Sequence, residues 1–297
     1  MARGDLSNDE WAVLAPLLPV QAARGGQWRD HRQVVNGICW VKRTGSPWRD
    51  MPERYGPCKT AHRRFTRWAA DGTWARLKAQ VVALAELDDG VEWDAQADAT
   101  IVRVHQHAAG AGKRGLTVTE TQARESIGRS RGGLTTKVHT LADGRGRSLA
   151  TLITPGQAAD TRQLIPLLAL VRVPRPGGAG RPRTRPESVT ADKAYSSRAN
   201  REALRTRRIR ATIPEPNDQI ANRKRRGSLG GRPPAFDPIA YRRRNQVERG
   251  FNRRKHWRGV ATRYDKNGAN YQATLDLIEM LDWLRAVPDH KDPRDRT

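Results

Sequence analysis

Apolar positions recur at helical spacing through the first 85 residues. Ser7 and Glu10 form a capping box, and Trp11, Leu14, Leu17 and Leu18 then keep a helical repeat until Pro19. Val34, Val35, Ile38 and Val41 predict a second helix from Asp30 to Arg43, stopped by Gly45. After the loop SPWRDMPERYGP a third helix begins near Lys59. Lys59, Arg63 and Arg67 share one face of it, and Ala61, Phe65 and Trp68 line the opposite one. A further helix, Thr73 to Leu87, closes the segment, with LDDG as linker. A basic third helix backed by aromatics suits a helix-turn-helix reader. The plainer alternative is a surface helix with a solvated basic face.

From residue 91 the period changes. VEWDAQAD (91–98) and TIVRVHQH (100–107) alternate apolar and polar residues and predict two strands. The stretch 110–133 is rich in Gly and Arg and predicts a basic loop. LTTKVHTLADGRGRSLATLITPG predicts two strands around a turn at Asp143–Gly146. A helix is expected over 160–172, then a Pro/Gly/Arg linker over 173–186. ESVTAD (187–192) is a short strand ending in an aspartate, Ser197 to Arg207 a helix, and RIRATIP a strand. NRKRRGSLGGRPPAFD is another basic loop. Two long helices over 238–258 and 269–286 precede a charged tail, 287–297, expected to be disordered. Strands followed by alternating strands and helices imply a mixed α/β or α+β sheet, and the fold class expected is α/β. The expected division is a helical DNA-binding domain over 1–87 and a catalytic domain over 91–286.

Charge sharpens the picture. The 297 residues carry 55 Lys+Arg against 31 Asp+Glu, a formal net charge of +24. That surplus concentrates polyanions, which makes nucleic acid the first partner class and an anionic membrane surface the second. The apolar runs fall far short of the roughly 18 residues that span a bilayer, and no signal peptide is expected at the N-terminus. Cys39 and Cys58 make neither a disulfide framework nor a zinc knuckle, which fits a cytoplasmic protein.

In so basic a chain the carboxylates at strand ends stand out. Asp98 closes the first strand, Asp192 closes a later one, and Glu248 lies in YRRRNQVERGFNRRK. Converging at one end of a sheet, they would hold two divalent ions, and oxygen ligands favour Mg²⁺ or Mn²⁺. Tyr241, Arg244, Glu248 and Lys255 step by 3, 4 and 7, so on one continuous helix they share a face. That spacing reproduces the Tyr-Arg-Glu-Lys signature of a large group of DDE transposases.

The chain resembles a bacterial insertion-sequence transposase, similar to the insertion-sequence-five family. The residues that carry the likeness are DATIVRVHQHAAGAGKRG, GRSRGGLTTKVH, VTADKAYSSRANREAL and RNQVERGFNRRKHWRGVATRYDK, with LSNDEWAVLAPLLP and KRTGSPWRDMPERYGPCKTAHRRFTRWAADGTW before them. The resemblance implies an RNase H-like catalytic domain with Asp98, Asp192 and Glu248 as catalytic metal ligands. Tyr241, Arg244 and Lys255 support the site. It implies cutting at terminal inverted repeats and strand transfer to target DNA by two-metal phosphodiester chemistry. A homodimer would bring the two ends together on double-stranded DNA. The spacing from Asp192 to Glu248 leaves no room for a large β-rich insertion. The DNA contacts expected are Lys59, Arg63, Arg64 and Arg67 on the third helix, Arg223, Lys224 and Arg225 in the late basic loop, and Trp257 stacked on an unpaired base.

Alternatives stay open at several positions. Asp94 and Asp98 point to the same face of a strand, and only the Asp-small-Thr motif of the resemblance selects Asp98. His105 and His107 lack further ligands at metal spacing. His139 belongs to the resemblance without an assigned role, Asp143 reads as a turn residue, and Trp257 fits a buried core equally well. The rival functions are an inactive DNA-binding remnant of a transposase and an RNase H-like nuclease.

Overall fold

The computed structural model describes residues 4–20, 27–87, 90–109, 124–130, 132–175 and 180–287. Linker residues 88–89, most of the expected basic loop (110–123), residues 176–179 and the tail from 288 lie outside the described residues.

Four helices lead the chain: α1 (Asn8–Leu14), α2 (His31–Thr44), α3 (Cys58–Ala70) and α4 (Thr73–Leu87). The Ser7–Glu10 capping box is formed in both directions. Asp30 caps α2, and Gly45 ends it with φ 69°, a conformation in which a side chain would be strained.

A sheet of seven described strands follows. Its strands are β1 (Asp94–Val104), β2 (Gly128–Ser130), β3 (Gly133–Ala142), β4 (Ser148–Pro155), β5 (Ser188–Ala191), β6 (Arg210–Thr212) and β7 (Thr262–Arg263). The two strands expected over 91–107 are one, because β1 pairs with β3 without interruption from Gln96 to Arg103. The chain leaves the sheet after Val104 into a single turn, α5 (Gln106–Ala109). The expected basic loop over 110–133 likewise gives way to strand at β2.

β1 lies between antiparallel β3 and, on its other edge, parallel β5 at one end and parallel β7 at the other. β4 extends the antiparallel side and β6 the parallel side. Around the sheet pack α6 (Leu164–Leu170), α7 (Arg198–Thr206), α8 (Asn217–Arg225), α9 (Pro238–Arg242), α10 (Asn245–Lys255), α11 (Arg258–Ala261) and α12 (Gly268–Leu284). Arg223, Lys224 and Arg225 therefore form the last turn of α8, not a loop.

One hydrophobic core runs from Leu6 to Val287 and takes in the N-terminal helices, the sheet and α12. An ionic knot is buried within it. Glu279 of α12 accepts from Lys78 of α4 at 2.5 Å, Arg254 of α10 at 2.8 Å and Thr151 of β4 at 2.6 Å. Asp276 lies 3.5 Å from the same Lys78 ammonium. Burial works against the charge on Glu279, but the two cations hold its carboxyl below the usual range. Burial dominates at Asp276 and pushes its carboxyl up to about 6.

Asp143 does sit in the turn between β3 and β4, but it is fully buried. Arg147 clamps it at 2.7 Å and stacks on the Trp283 ring, 4.2 Å from its centroid.

Replacing Glu279 with Gln leaves Arg254 buried without its counter-charge and Lys78 with Asp276 alone. A loss of about 3–5 kcal/mol is expected in urea unfolding at pH 7. A loss under about 1 kcal/mol would mean that the knot contributes little.

Candidate active site

The side chains of β1 alternate. Ala95 and Ala97 enter the core, while Gln96, Asp98 and Thr100 face α10. All three of the latter engage the signature segment. Gln96 Oε1 accepts from the Val247 backbone N–H at 3.0 Å. Asp98 Oδ2 accepts from Arg244 Nη2 at 3.1 Å, and Thr100 Oγ1 accepts from Lys255 Nζ at 2.7 Å. Asp98 and Thr100 lie where the edge of β1 is left open between β5 and β7, and Gln96 lies just before it, opposite Thr190 of β5.

Parallel pairing sets Ala97 opposite Ala191, so the next residues, Asp98 and Asp192, stand side by side where β5 ends; β1 runs on to Val104, so Asp98 lies within its strand and does not close it as expected. Asp192 Oδ1 accepts from the Ala194 N–H at 3.0 Å, which caps the turn after β5. Glu248 joins through Arg244, whose Nη1 donates to Glu248 Oε1 at 2.7 Å while its Nη2 holds Asp98. Burial pushes the Asp98 carboxyl above its ordinary range. Arg244 pulls it back, and the nearby charges of Asp192 and Glu248 push it up again.

The long helix expected over 238–258 is bent. Gln246 and Val247 make i→i−3 bonds to Arg243 and Arg244, and the Gln96 amide oxygen takes the Val247 N–H as well. A side chain inserted into the helical ladder is an established cause of a bend. Tyr241 therefore belongs to the short α9, with its ring 5.2 Å from that of Phe236, and does not share a continuous helix face with the other three. On α10 the buried stripe is Val247, Gly250, Phe251 and Arg254, which turns Glu248 and Lys255 toward β1. Gly250 is obligatory there, because a Cβ would run into the Gly146 carbonyl. Burial lowers the Lys255 ammonium.

Asp94 is parted from this group. It accepts from Ser188 Oγ at 2.5 Å and lies 3.5 Å from Arg210, three residues back along the β1–β5 ladder from Ala97. Two residues at the site had no sequence signal as functional groups. One is Gln96, and the other is Tyr195, whose buried hydroxyl has no hydrogen-bond partner among the described residues. Burial raises the phenol, and Asp160, Asp98 and Asp192 add to the effect.

His139 is buried beside β4, with Nε2 2.8 Å from Thr154 Oγ1 and Nδ1 3.6 Å from Asp160. Burial holds it neutral, with its value lowered to about 4.

The expected DNA contacts divide. Lys59, Arg63 and Arg67 line the exposed face of α3. Arg64, expected with them, is buried instead. It stacks on Trp28 at 4.4 Å and donates toward His31 Nδ1 at 2.9 Å, because its position falls on the aromatic side of the helix. Trp257 is also buried, under the guanidinium of Arg43 at 4.6 Å, so the core alternative holds and its ring is not free to stack on a base. Arg223 pairs with Glu215 at 2.9 Å, while Lys224 and Arg225 are exposed.

The donor set at the carboxylates is all oxygen, which fits a hard divalent cation. A guanidinium already bridges two of its three members, so positive charge is accommodated between them. Among the described residues no three His, Cys, Asp or Glu side chains are gathered as a formed metal cage.

Comparison with known proteins decides the family. Residues 95–275 match the transposase DDE domain, and residues 6–78 match a putative transposase of the IS4/5 family. The chain belongs to the DDE transposases. Members of this family act on DNA and generally use divalent metal ions.

This DDE transposase chain is 36% identical over 108 residues to the uncharacterized protein y4sN of Sinorhizobium fredii, spanning 36% of this chain and 82% of that one. It is 31% identical over 135 residues to the insertion element IS402 uncharacterized 16.2 kDa protein of Burkholderia cepacia, 43% of this chain and 88% of that one. It is 30% identical over 152 residues to the putative transposase for insertion sequence element IS6501 of Brucella ovis, 51% of this chain and all of that one. No solved structure matches the chain.

Gln96→Met strips the Val247 N–H of its side-chain acceptor. A loss of about 1–3 kcal/mol in thermal stability is expected, with α10 loosened over β1. An unchanged melting temperature would mean that the bend does not depend on Gln96.

Proposed function

We propose that the protein is a transposase of the Tyr-Arg-Glu-Lys group, close to the insertion-sequence-five family, that cuts DNA at the terminal inverted repeats of its element and joins the freed ends to target DNA. The observation that carries this reading is the register that sets Asp98 beside Asp192, together with Arg244 bridging Asp98 to Glu248. An RNase H-like catalytic fold is supported by a sheet whose antiparallel strands β4–β3–β1 continue into parallel β5 and β6.

Asp98, Asp192 and Glu248 are the residues that would hold two Mg²⁺ or Mn²⁺ ions. Such ions, when bound, activate a water or a 3′-hydroxyl and steady the leaving 3′-oxygen. The chain's own part is positioning. Burial on β1 fixes Asp98, and the Gln96 latch holds α10, with Glu248, against the same strand. Lys255, tethered to Thr100, lies along the same face as a phosphate contact, and Arg244 can exchange a carboxylate for a phosphate without losing a charge-assisted bond.

Residues 1–87 are the segment we assign to reading the repeat, through Lys59, Arg63 and Arg67, and Lys224 and Arg225 would add phosphate contacts. Handling two ends together calls for a homodimer on DNA, and the bacterial cytosol supplies that DNA. Among the described residues no helix is long and apolar enough to cross a membrane.

The test is cleavage of DNA carrying the element's ends by purified protein with Mg²⁺. Nicking at the repeat boundary should vanish with EDTA and fall about a thousandfold or more in Asp192→Asn and Glu248→Gln. Binding should persist in Glu248→Gln, because that side chain is half exposed. Repeat binding without cleavage in the unaltered protein would instead mark a DNA-binding remnant.

Salt dependence offers a separate check. The slope of log K against log salt should shrink by about 0.9 for each phosphate contact removed by Lys59→Ala, Arg63→Ala or Arg67→Ala. An unchanged slope would remove α3 from the DNA interface.

A further inference from the structure

At the far end of β1 from Asp98 a cleft of about 680 Å³ opens between the N-terminal helices and the sheet. That volume is in the range of small-molecule sites. One wall is Trp48 against His62, edge to face with ring centroids 5.1 Å apart. The other is His105, packed 4.7 Å from His107 and 5.0 Å from Tyr264. Tyr264 is 38% exposed. The floor is the ion pair of Lys42 and Asp265, 2.9 Å long and further bonded to Thr274, so its charges are already compensated. Two exposed cations, Arg49 and Lys59, stand at the rim.

We propose that this cleft binds an unpaired nucleotide of a DNA strand, with its base between the two ring walls and its phosphate on Arg49 and Lys59. Ring faces accept any base, whereas a paired base inside a duplex has no free face to offer. Burial and the neighbouring Lys42 lower His62, which therefore presents a neutral ring at pH 7. Phosphate is drawn to the rim because the floor has no uncompensated charge.

Lys59 also begins the exposed row of Arg63 and Arg67 on α3, so the cleft continues a surface already suited to a phosphate backbone. The spacing is consistent with a single strand passing the carboxylates. His105 is seven residues beyond Asp98, roughly 23 Å at 3.3 Å per residue, a span that a short stretch of one strand can cover. The proposal relies on the transposase reading only in taking DNA as the polymer.

Cys58 lines the same cleft and provides a direct readout. Cys39, the other cysteine, is fully buried with its thiol pushed up to about 12, and stays unreactive. Alkylation of Cys58 in the full chain would be timed alone, with a twelve-nucleotide single strand, with a blunt duplex of the same composition, and with a free deoxynucleoside monophosphate. The single strand should slow alkylation about tenfold, and the duplex, lying across Lys59 outside the cleft, by no more than about twofold. Tyr264→Leu and His105→Ala, with unchanged circular dichroism, should each raise the concentration of strand needed for protection by about tenfold.

Protection by the mononucleotide alone would overturn the assignment to a strand. No protection by any arm, with the duplex still retarded on a gel, would overturn the cleft and leave the DNA reading intact. Failure of the duplex to bind at all would overturn that reading instead.

Discussion

A single buried carboxylate, that of Glu279, ties together the parts of the chain that build the site. It takes a bond from α4, one from β4 and one from α10. A charge with no access to water is tolerated only when cations and donors satisfy it, so the elements that supply them cannot drift apart. Arg254 is the link that matters for chemistry. With its guanidinium committed inward, α10 has one rotational setting, and in that setting Glu248 and Lys255 turn toward β1. The same knot joins the N-terminal helices to the sheet, which is why α3 has a defined position relative to the carboxylates.

β1 is the rail on which the site is laid out. Its even-numbered side chains from Gln96 to Thr100 meet α10 one after another, each through a different kind of bond: an amide to a backbone N–H, a carboxylate to a guanidinium, a hydroxyl to an ammonium. Pairing with β5 stops at Ala97 and pairing with β7 resumes only at Arg103. The interval is a stretch of strand edge without a strand partner, met by the side chains of Arg244 and Lys255. The aromatic cleft lies past the end of the same strand, so both sites share one scaffold.

Much of this was legible from local pattern. The capping box at Ser7, the glycine stop after α2, the limits of α4 and the turn at Asp143 each depend on neighbouring residues alone, and each forms as expected. The errors have a common cause. Arg64 and Trp257 were grouped with the DNA contacts by residue type, but Arg64 falls on the packed side of α3, and Trp257, in the bend between α10 and α11, is turned into the core. Tyr241 and Glu248 keep helical spacing, yet Gln96, 151 residues away in sequence, takes the N–H of Val247 and bends the helix between them. No window along the chain contains both partners of that bond.

By itself the sequence determined the N-terminal helices, the pair of strands around Asp143 and the basic character of the chain, because propensity, period and charge are local properties. Only the tertiary structure decided that Asp98 rather than Asp94 stands beside Asp192. Both aspartates lie on the same face of β1, and the choice depends on the register between strands that are distant in sequence. It likewise decided that Arg244 spans two carboxylates and that rings from residues 48, 62, 105, 107 and 264 enclose one cleft. Contacts of this kind arise from long-range packing, in which the partner's position follows from the whole fold rather than from its neighbours in the chain.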